Sequence, residues 1–260
     1  MKCEYGLAYV MLGRTERLDD IYISGQLDFE GISASKFAMD EATRLSKIFE
    51  EEKRVEMEEN SKDLAISYLN IRSLRYKVTE IMKTSALMHS SILAFGETWL
   101  KPDENVPIDQ FKSFFASHGK GKGIAVYSQN TPVDEPLTIA NDLFSMIVFN
   151  HEYFVAIFLY RSQNCDESHL CTALDTVIKE NVPIVIMGDM NIDSQKKSVL
   201  YNYLTANGFN QEINMPTCDT GSTIDHLYIN KEMKSLSFKI KQTPVYYSDH
   251  DIIGLQIKTL

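Results

Sequence analysis

The sequence lacks the features of several large protein classes. No apolar stretch approaches the roughly 18 residues that a membrane-spanning helix needs; the longest apolar run covers Tyr153 to Tyr160. The N-terminus lacks the basic and then apolar pattern of a secretion signal, so we predict an intracellular protein with no membrane partner. Only four cysteines occur in 260 residues. They are too few for a disulfide scaffold, and their spacing is not that of a zinc site.

Two common catalytic motifs are also missing. There is no Gly-x-x-x-x-Gly-Lys-Ser/Thr loop, so we predict that this chain does not bind a nucleotide triphosphate. There is no Gly-x-Ser-x-Gly sequence, which argues against an acyl-transfer enzyme. The run Gly119-Lys-Gly-Lys-Gly123 superficially looks like a phosphate loop. Its spacing is wrong for that role, and a hairpin turn before the next strand explains it better.

The chain has no excess of basic charge. Its net charge is −10: residues 1–61 hold 8 Lys/Arg against 14 Asp/Glu, and residues 62–260 hold 18 against 22. This balance argues against a protein that coats nucleic acid generally. The dense charge run Glu50–Glu59 has almost no apolar face, which predicts a solvated helix or linker. We therefore predict a separate N-terminal segment, residues 1–61, and a domain at 62–260.

The second part contains many short apolar runs between a few helical stretches. The runs predict strands at Leu64–Leu69, Ser91–Phe95, Gly123–Ser128, Met146–Phe149, Tyr153–Tyr160, Pro183–Met187, Ile224–Ile229, Phe238–Ile240 and Ile252–Ile257. The spacing of apolar residues predicts helices at Ser73–Met88, His169–Glu180 and Leu200–Asn207. Strands neither alternate strictly with helices nor cluster apart from them. This order predicts an α/β sandwich of mixed sheets flanked by helices.

Polar side chains follow or precede several of these strands, where a packed core would fix their positions. Asp189 follows the strand ending at Met187, and Asn191 lies two positions further on. A carboxylate there can deprotonate a water, and an amide can donate to a phosphate oxygen. Glu97 ends another strand, where Mg²⁺ would be a suitable partner. Asn70 can fix a carboxylate or phosphate. Each of these residues also has an ordinary reading as a turn or capping residue.

The sequence Ser248-Asp249-His250 precedes the last strand. The acid suits contact with a metal, and the imidazole suits contact with a phosphate. Asp225 can hold the His250 ring in one tautomer, while His226 should point to the opposite face of its strand and be structural. Tyr160 closes a strand; its phenol can donate to a phosphate oxygen, although strand-end tyrosines often only cap a core.

Taken in order, these motifs resemble the endonuclease/exonuclease/phosphatase superfamily, most closely the apurinic-type endonuclease domains of non-LTR retrotransposons. The resemblance covers residues from about 63 to 260 and implies a four-layer α/β sandwich. It also implies Mg²⁺-dependent phosphodiester hydrolysis, with Mn²⁺ as a possible substitute. One departure is Arg72, which stands where repair-type members carry an acidic residue. Another is the segment between Asn191 and Asp225, which looks shorter than in many relatives.

The resemblance assigns a role to each candidate residue. In the catalytic set, Asp189 aligns the attacking water, His250 contacts the phosphate and Asp225 orients His250, with Asn191 and Tyr160 positioning the phosphate. Glu97, Asn70 and Asp249 form the expected metal set. We expect Asn70, Asn191 and Ser222 to contact the substrate, which is predicted to be DNA.

The first part has a likeness of its own. The run from Tyr9 to Ile23, which includes Arg14, resembles the final motif of helicases from Helitron-type transposons. The nucleotide-binding core of such a helicase is absent, so we predict a helicase remnant followed by the charged linker. A helicase end joined to an endonuclease predicts a mobile-element protein, nuclear if the element is eukaryotic.

Three functions remain open at this stage. The first is a Mg²⁺-dependent DNA endonuclease of mobile-element origin. The second is a phosphomonoesterase acting on phosphoinositides or nucleotides, since the same scaffold serves such enzymes. The third is an inactive transposon remnant that only binds DNA. The sequence does not indicate an oligomeric state.

Overall fold

The computed structural model describes residues 63–258. The predicted N-terminal segment, residues 1–61, lies outside the described residues. The helicase resemblance and the domain boundary near residue 62 therefore stay predictions. Within the described part, no helix is long and apolar enough to cross a bilayer.

Twelve strands and four short α-helices make up residues 63–258. The strands are β1 (Leu64–Asn70), β2 (Ile92–Gly96), β3 (Lys112–Ala116), β4 (Ile124–Ser128), β5 (Leu137–Ala140), β6 (Phe144–Asn150), β7 (Val155–Arg161), β8 (Ile184–Asp189), β9 (Phe209–Gln211), β10 (Asp225–Asn230), β11 (Phe238–Thr243) and β12 (Ile252–Ile257). The helices are α1 (Val78–Lys83), α2 (Ser85–Met88), α3 (Glu167–Asp175) and α4 (Val199–Ala206), and a 3₁₀ turn covers Met233–Ser235.

The strands form two six-stranded mixed sheets with the same internal pattern. Sheet I has the order β11-β12-β1-β2-β4-β3, and sheet II has the order β9-β10-β8-β7-β6-β5. In each sheet only the central pair is parallel, β1 with β2 and β7 with β8, and every other pair is antiparallel. The two parallel pairs consequently place four strand ends in the middle of their sheets.

The sheets pack face to face, and helices cover their outer faces. Alternation along β1 sends Ile66 and Tyr68 into the core between the sheets and Leu69 to the outer side. The outer core of sheet I includes residues of α1 and α2, and the outer core of sheet II includes residues of α3 and α4. The architecture is therefore the four-layer α/β sandwich expected from the sequence.

The single helix predicted from Ser73 to Met88 is wrong. Arg72 and Ser73 adopt left-handed backbone angles, with φ of 44° and 79°. The Ser73 N–H donates to the Glu97 carbonyl at 2.9 Å, so this segment is tied to the end of β2. The helical part that follows is interrupted at Thr84, whose backbone is extended. Hydrogen bonds to the end of β2 thus hold this segment in a non-helical conformation, although the spacing of its apolar residues is typical of a helix.

Three strands, β3, β5 and β9, were not predicted. All three lie at sheet edges. Their side chains are partly exposed: β5 has no buried residue, and β9 is only three residues long. Edge strands of this kind lack the continuous apolar run that marks a buried strand.

Candidate active site

The predicted site residues lie on the same face of their strands as the residues of the core between the sheets. Tyr68 in β1 and Met187 in β8 lie in the core between the sheets, so Asn70 and Asp189, two positions further on, face the same way. Asp225 opens β10 with the parity of the inward Leu227. The alternation of side chains along each strand therefore places the amide of Asn70 and the carboxylates of Asp189 and Asp225 at the edge of this core.

Strand pairing places these rim positions side by side. Asn70 is opposite Gly96 in the β1–β2 pair, next to Glu97. Asp189 is opposite Tyr160 in the β7–β8 pair and opposite Asp225 in the β8–β10 pair. Asn70 and Asp189, which are 119 positions apart in the sequence, thus meet at one edge of the sandwich.

Asn70 joins the two sheets at the centre of the site. Its amide nitrogen donates to Asp189 Oδ2 at 2.7 Å and to Glu97 Oε1 at 3.1 Å. Glu97 reaches this position because its φ of 48° turns the chain back at the end of β2. Both amide hydrogens of the fully buried Asn70 are used in these bonds, so Asn70 links the two carboxylates.

Asp189 is held on three sides. Its Oδ1 accepts from the Asn191 N–H at 2.7 Å, in addition to the bond from Asn70 to Oδ2. Its own N–H donates at 2.9 Å to the hydroxyl of Tyr68, a fully buried phenol of the facing sheet. Burial, followed by the negative charge of Asp225, raises the pKa of Asp189 to about 8. This carboxyl is therefore both rigidly placed and unusually basic.

Asp225 and His250 form a buried ion pair. His250 Nδ1 lies 2.7 Å from Asp225 Oδ2, and both side chains are nearly inaccessible. Burial lowers the pKa of His250, but the hydrogen bond and charge of Asp225, followed by the charges of Asp189 and Asp249, together outweigh it and bring the value to about 9. The imidazole is thus protonated at neutral pH. Its Nδ1–H faces Asp225, which leaves Nε2–H as the other donor of the ring.

Backbone contacts fix both members of this pair. The buried hydroxyl of Thr217 accepts from the Asp225 N–H at 3.1 Å. The Thr217 carbonyl accepts from the Asp251 N–H at 2.9 Å, beside an antiparallel bridge between Cys218 and His250. One short segment therefore holds the start of β10 against the start of β12.

The loop that carries His250 is also tied to β1. Ser248 Oγ donates to the Asn70 carbonyl at 2.6 Å and accepts from the His250 N–H at 3.3 Å. The amide that bridges the sheets and the imidazole of the ion pair are therefore connected through one serine.

The site has the donor set of a divalent-cation centre. One polar atom each of Asp189, Asp225 and His250 lies within 4.8 Å of the others. Because the protonated ring of His250 has no free lone pair, only the two carboxylates of this group can ligate a cation. Asp225 Oδ1 is buried and has no hydrogen-bond partner. Two buried carboxylates face only one cationic imidazole here, and Glu97 adds a third negative charge at hydrogen-bonding distance from Asn70. A hard cation with oxygen ligands would compensate this charge, so the residues fit Mg²⁺.

Asp249 is part of a different contact. Its Oδ2 accepts from Arg72 Nη1 at 2.5 Å, and Arg72 Nε lies 3.9 Å from Glu97 Oε2. The guanidinium therefore lies beside two of the three residues that were expected to hold a metal.

The remaining candidates lie around this centre. Tyr160 is buried, and burial, followed by the charges of Glu97 and Asp189, raises its pKa. The Asn191 amide donates to the Arg161 carbonyl at 2.6 Å. Ser222 lies in the loop before β10, where its carbonyl accepts from the Thr217 N–H at 3.0 Å and so shapes the turn that carries Thr217.

His226 has the structural position that its parity predicts. It is buried, and its Nε2 lies 2.8 Å from the Ile192 carbonyl, on the side of β10 opposite to Asp225. Burial lowers its pKa, so the ring is neutral where that of His250 is charged.

Sequence reasoning missed the residues that support the site. The sequence alone predicts no role for Tyr68, Thr217 or Ser248. Arg72 is noticed only as a departure from the resemblance. The one local signal is the position of Tyr68, which has the inward parity of Asn70 two places later.

Comparison with known proteins agrees with this arrangement. The profile of the Endonuclease/Exonuclease/phosphatase family matches residues 68–250. Among solved structures, the endonuclease domain of TRAS1, a telomere-specific non-LTR retrotransposon, is similar at 15% identity and a TM-score of 0.58, covering 75% of this chain and 98% of that domain. An AP endonuclease from Archaeoglobus fulgidus is similar at 14% identity and a TM-score of 0.61, covering 75% and 100%.

A third similar structure is the 3′ phosphatase NExo from Neisseria bound to a product DNA hairpin. It shares 16% identity at a TM-score of 0.60, covering 75% of this chain and all of that one. Among curated proteins, none matches the sequence. The family profile matches residues 68–250, which is more than half of the chain, and the fold agrees with it. This chain therefore belongs to the Endonuclease/Exonuclease/phosphatase family.

Proposed function

We propose that this protein is a Mg²⁺-dependent phosphodiester hydrolase that cleaves DNA. The observation that carries the proposal is the double hydrogen bond of Asn70, which joins Glu97 to Asp189 beside the Asp225–His250 pair. Joined in this way, a base, a cationic donor and a cation-binding carboxylate face one edge of the sandwich.

Asp189 is proposed as the general base. Burial raises the pKa of Asp189, so its carboxylate, once ionised beside a bound cation, accepts a proton from water more readily than an ordinary aspartate. The donors from Asn70 and Asn191 fix the direction of its oxygens, and the Tyr68 hydroxyl fixes its backbone. In this role Asp189 orients a water and takes its proton as that water attacks phosphorus. The bond from phosphorus to the opposite ester oxygen breaks, and that oxygen leaves with the electron pair.

His250 is proposed as the phosphate contact. Asp225 accepts from Nδ1–H and keeps the ring protonated, so Nε2–H can donate to a non-bridging phosphate oxygen. This contact strengthens as negative charge grows on the phosphate in the transition state. Tyr160 and Asn191, which flank Asp189, are proposed to position the phosphate from the other side.

The carboxylate of Glu97 and the side-chain oxygen of Asn70, Oδ1, are the groups that would hold Mg²⁺. When bound, the cation would neutralise charge on the phosphate oxygens and the leaving group. On the protein side, Asn70 keeps Glu97 and Asp189 at a fixed separation, so both keep their alignment toward one phosphate.

Three considerations support DNA as the substrate and a mobile element as the origin. The similar proteins include the TRAS1 retrotransposon endonuclease domain, an AP endonuclease and a phosphatase bound to a DNA hairpin. The helicase remnant predicted in residues 1–61 would also come from a mobile element, one of the Helitron type. In an otherwise acidic chain, positive charge lies near the site: Arg72 is beside Glu97, Lys77 is close enough to Asp249 to feel its charge, and Lys120 lies over the Trp99 ring. A nuclear location in a eukaryotic host is part of this proposal.

The test compares supercoiled plasmid, an abasic oligonucleotide and a phosphoinositide, each with Mg²⁺ and with EDTA. We expect plasmid nicking with Mg²⁺, and a loss of about a hundredfold or more in Asp189→Ala, which is the usual contribution of a positioned base. Asp175→Asn is the matched control, because Asp175 is an exposed carboxylate on α3 that accepts a hydrogen bond from the Tyr203 hydroxyl.

The outcome separates the three functions. Release of inorganic phosphate from the phosphoinositide with intact plasmid would replace the nuclease proposal by the phosphomonoesterase. If the protein acts on none of these substrates, although it unfolds cooperatively on heating and is therefore folded, it is an inactive remnant. Equal activity of wild type and Asp189→Ala would contradict the proposed base.

A further inference from the structure

Arg72 makes the most unusual contact at this edge of the sandwich. Its Nη1 lies 2.5 Å from Asp249 Oδ2, and its Nε lies 3.9 Å from Glu97 Oε2. Glu97 Oε2 also accepts from Trp99 Nε1 at 3.2 Å. A guanidinium, which cannot lose its proton, therefore lies between two carboxylates of the proposed cation site.

The backbone around Arg72 is built to keep it there. The Arg72 N–H donates to Asn70 Oδ1 at 3.3 Å, closing a turn in which Arg72 has a φ of 44°. On either side, the Ile71 N–H donates to the Gly96 carbonyl and the Ser73 N–H donates to the Glu97 carbonyl. The residues on both sides of Arg72 are thus bonded to the end of β2. Arg72 is placed by the same amide, Asn70, that aligns Glu97 and Asp189.

The charges of the site show what this placement does. Four carboxylates, those of Glu97, Asp189, Asp225 and Asp249, face two cations, Arg72 and the imidazolium of His250. When all are ionised the sum is −2, which one divalent ion neutralises. Without Arg72 the sum would be −3, and Asp249 would be free to bind a metal.

We propose that Arg72 is a fixed internal cation that occupies Asp249 and so limits this site to a single divalent ion. The inference rests on the proposed metal-dependent function. Arg72 acts here as a positioning residue: it holds Asp249 away from the metal and adds a positive charge next to the phosphate position. Asp249, expected from the sequence to be a metal ligand, would then serve only to anchor Arg72.

The test measures Mn²⁺ binding by electron paramagnetic resonance, without any substrate. Wild type should bind one ion. Arg72→Ala should bind the first ion about tenfold more tightly at low salt, because a like charge has been removed from its neighbourhood, and should gain a second ion. Arg72→Ala combined with Asp249→Asn should return to one ion. Arg75→Ala is the matched control: Arg75 also pairs with a carboxylate, that of Glu104.

A second variant keeps the proposal testable if Arg72→Ala folds poorly. Asp249→Asn alone should leave one bound ion and change its affinity less than about threefold, since Arg72 already occupies that carboxylate. If Asp249→Asn weakens the binding of Mn²⁺ tenfold or more, Asp249 is a metal ligand and the proposal is wrong. Unchanged binding in a folded Arg72→Ala would also overturn it.

The two proposals fail in different ways. If wild type nicks DNA with Mg²⁺ and loses this activity in Asp189→Ala, but Arg72→Ala binds Mn²⁺ as wild type does, only the role of Arg72 is refuted. If wild type binds no Mn²⁺, the metal-dependent function and the role of Arg72 are refuted together.

Discussion

Replacing Asp225 with asparagine should change the acid–base behaviour of His250. In the wild-type protein the pKa of His250 is about 9, although burial lowers it, chiefly because the hydrogen bond and charge of Asp225 raise it, with smaller contributions from Asp189 and Asp249. Asp225→Asn keeps the burial and removes the charge. We therefore expect the pKa of His250 to fall to the ordinary 6.5 or below.

The size of this effect follows from the two values. A fall from 9 to 6.5 corresponds to roughly 3 kcal/mol of interaction that favours the imidazolium. Since the pKa in the folded protein lies above the unfolded value, the pair stabilises the fold fully below pH 6.5. This stabilisation is lost as the pH rises through 9. The stability gap between wild type and Asp225→Asn should therefore be largest in acid and should close in alkali.

Two measurements check this prediction. Titration of the imidazole signals by NMR, with EDTA present, gives the pKa of His250 directly, and urea unfolding at several pH values gives the stability gap. His250→Gln identifies the signal of this ring among those of the other histidines. A His250 pKa within half a unit of wild type in Asp225→Asn would refute the argument that Asp225 keeps the imidazole charged.

Two further substitutions test the support of the site. Tyr68→Phe removes the acceptor of the buried Asp189 N–H, so the free energy of unfolding in urea should fall by about 1–3 kcal/mol; no change would mean that this bond between the sheets is unimportant. Gly188→Ala should prevent the β7–β8 pairing and abolish soluble expression, because the added Cβ would lie 1.9 Å from the Leu159 carbonyl oxygen. Gly254→Ala, with no atom nearer than 3.5 Å, should fold normally, and equal expression of the two variants would contradict this reasoning.

Much of the fold could be predicted because its central strands are continuous apolar runs. The strands β1, β7 and β8 are buried on both faces, so their sequences read as strands without further information. The edge strands β3 and β5 carry exposed side chains and give no such signal. The helix predicted over Ser73–Met88 failed for a different reason: its first turn is replaced by hydrogen bonds to Glu97 and Thr98, which lie more than twenty positions away.

The grouping of the candidate site residues could be predicted for those at strand ends, but not for those that depend on long-range contacts. Asn70, Asp189 and His250 stand out in the sequence because each is a polar residue next to an apolar strand. The charge of Asp249 is equally visible, but its partner, Arg72, lies 177 positions earlier. No local pattern reveals that pairing, which depends on how β1 and β12 are joined.

The bond between Asn70 and Asp189 has a mechanical consequence. One partner ends a strand of sheet I and the other ends a strand of sheet II, and Tyr68 bonds to the backbone of Asp189 directly beneath them. A slip of one layer over the other by about an ångström would lengthen these bonds past their useful range. The geometry of the candidate active site therefore depends on how the two sheets are aligned. Neither half of the domain, expressed alone, would retain a working fragment of it.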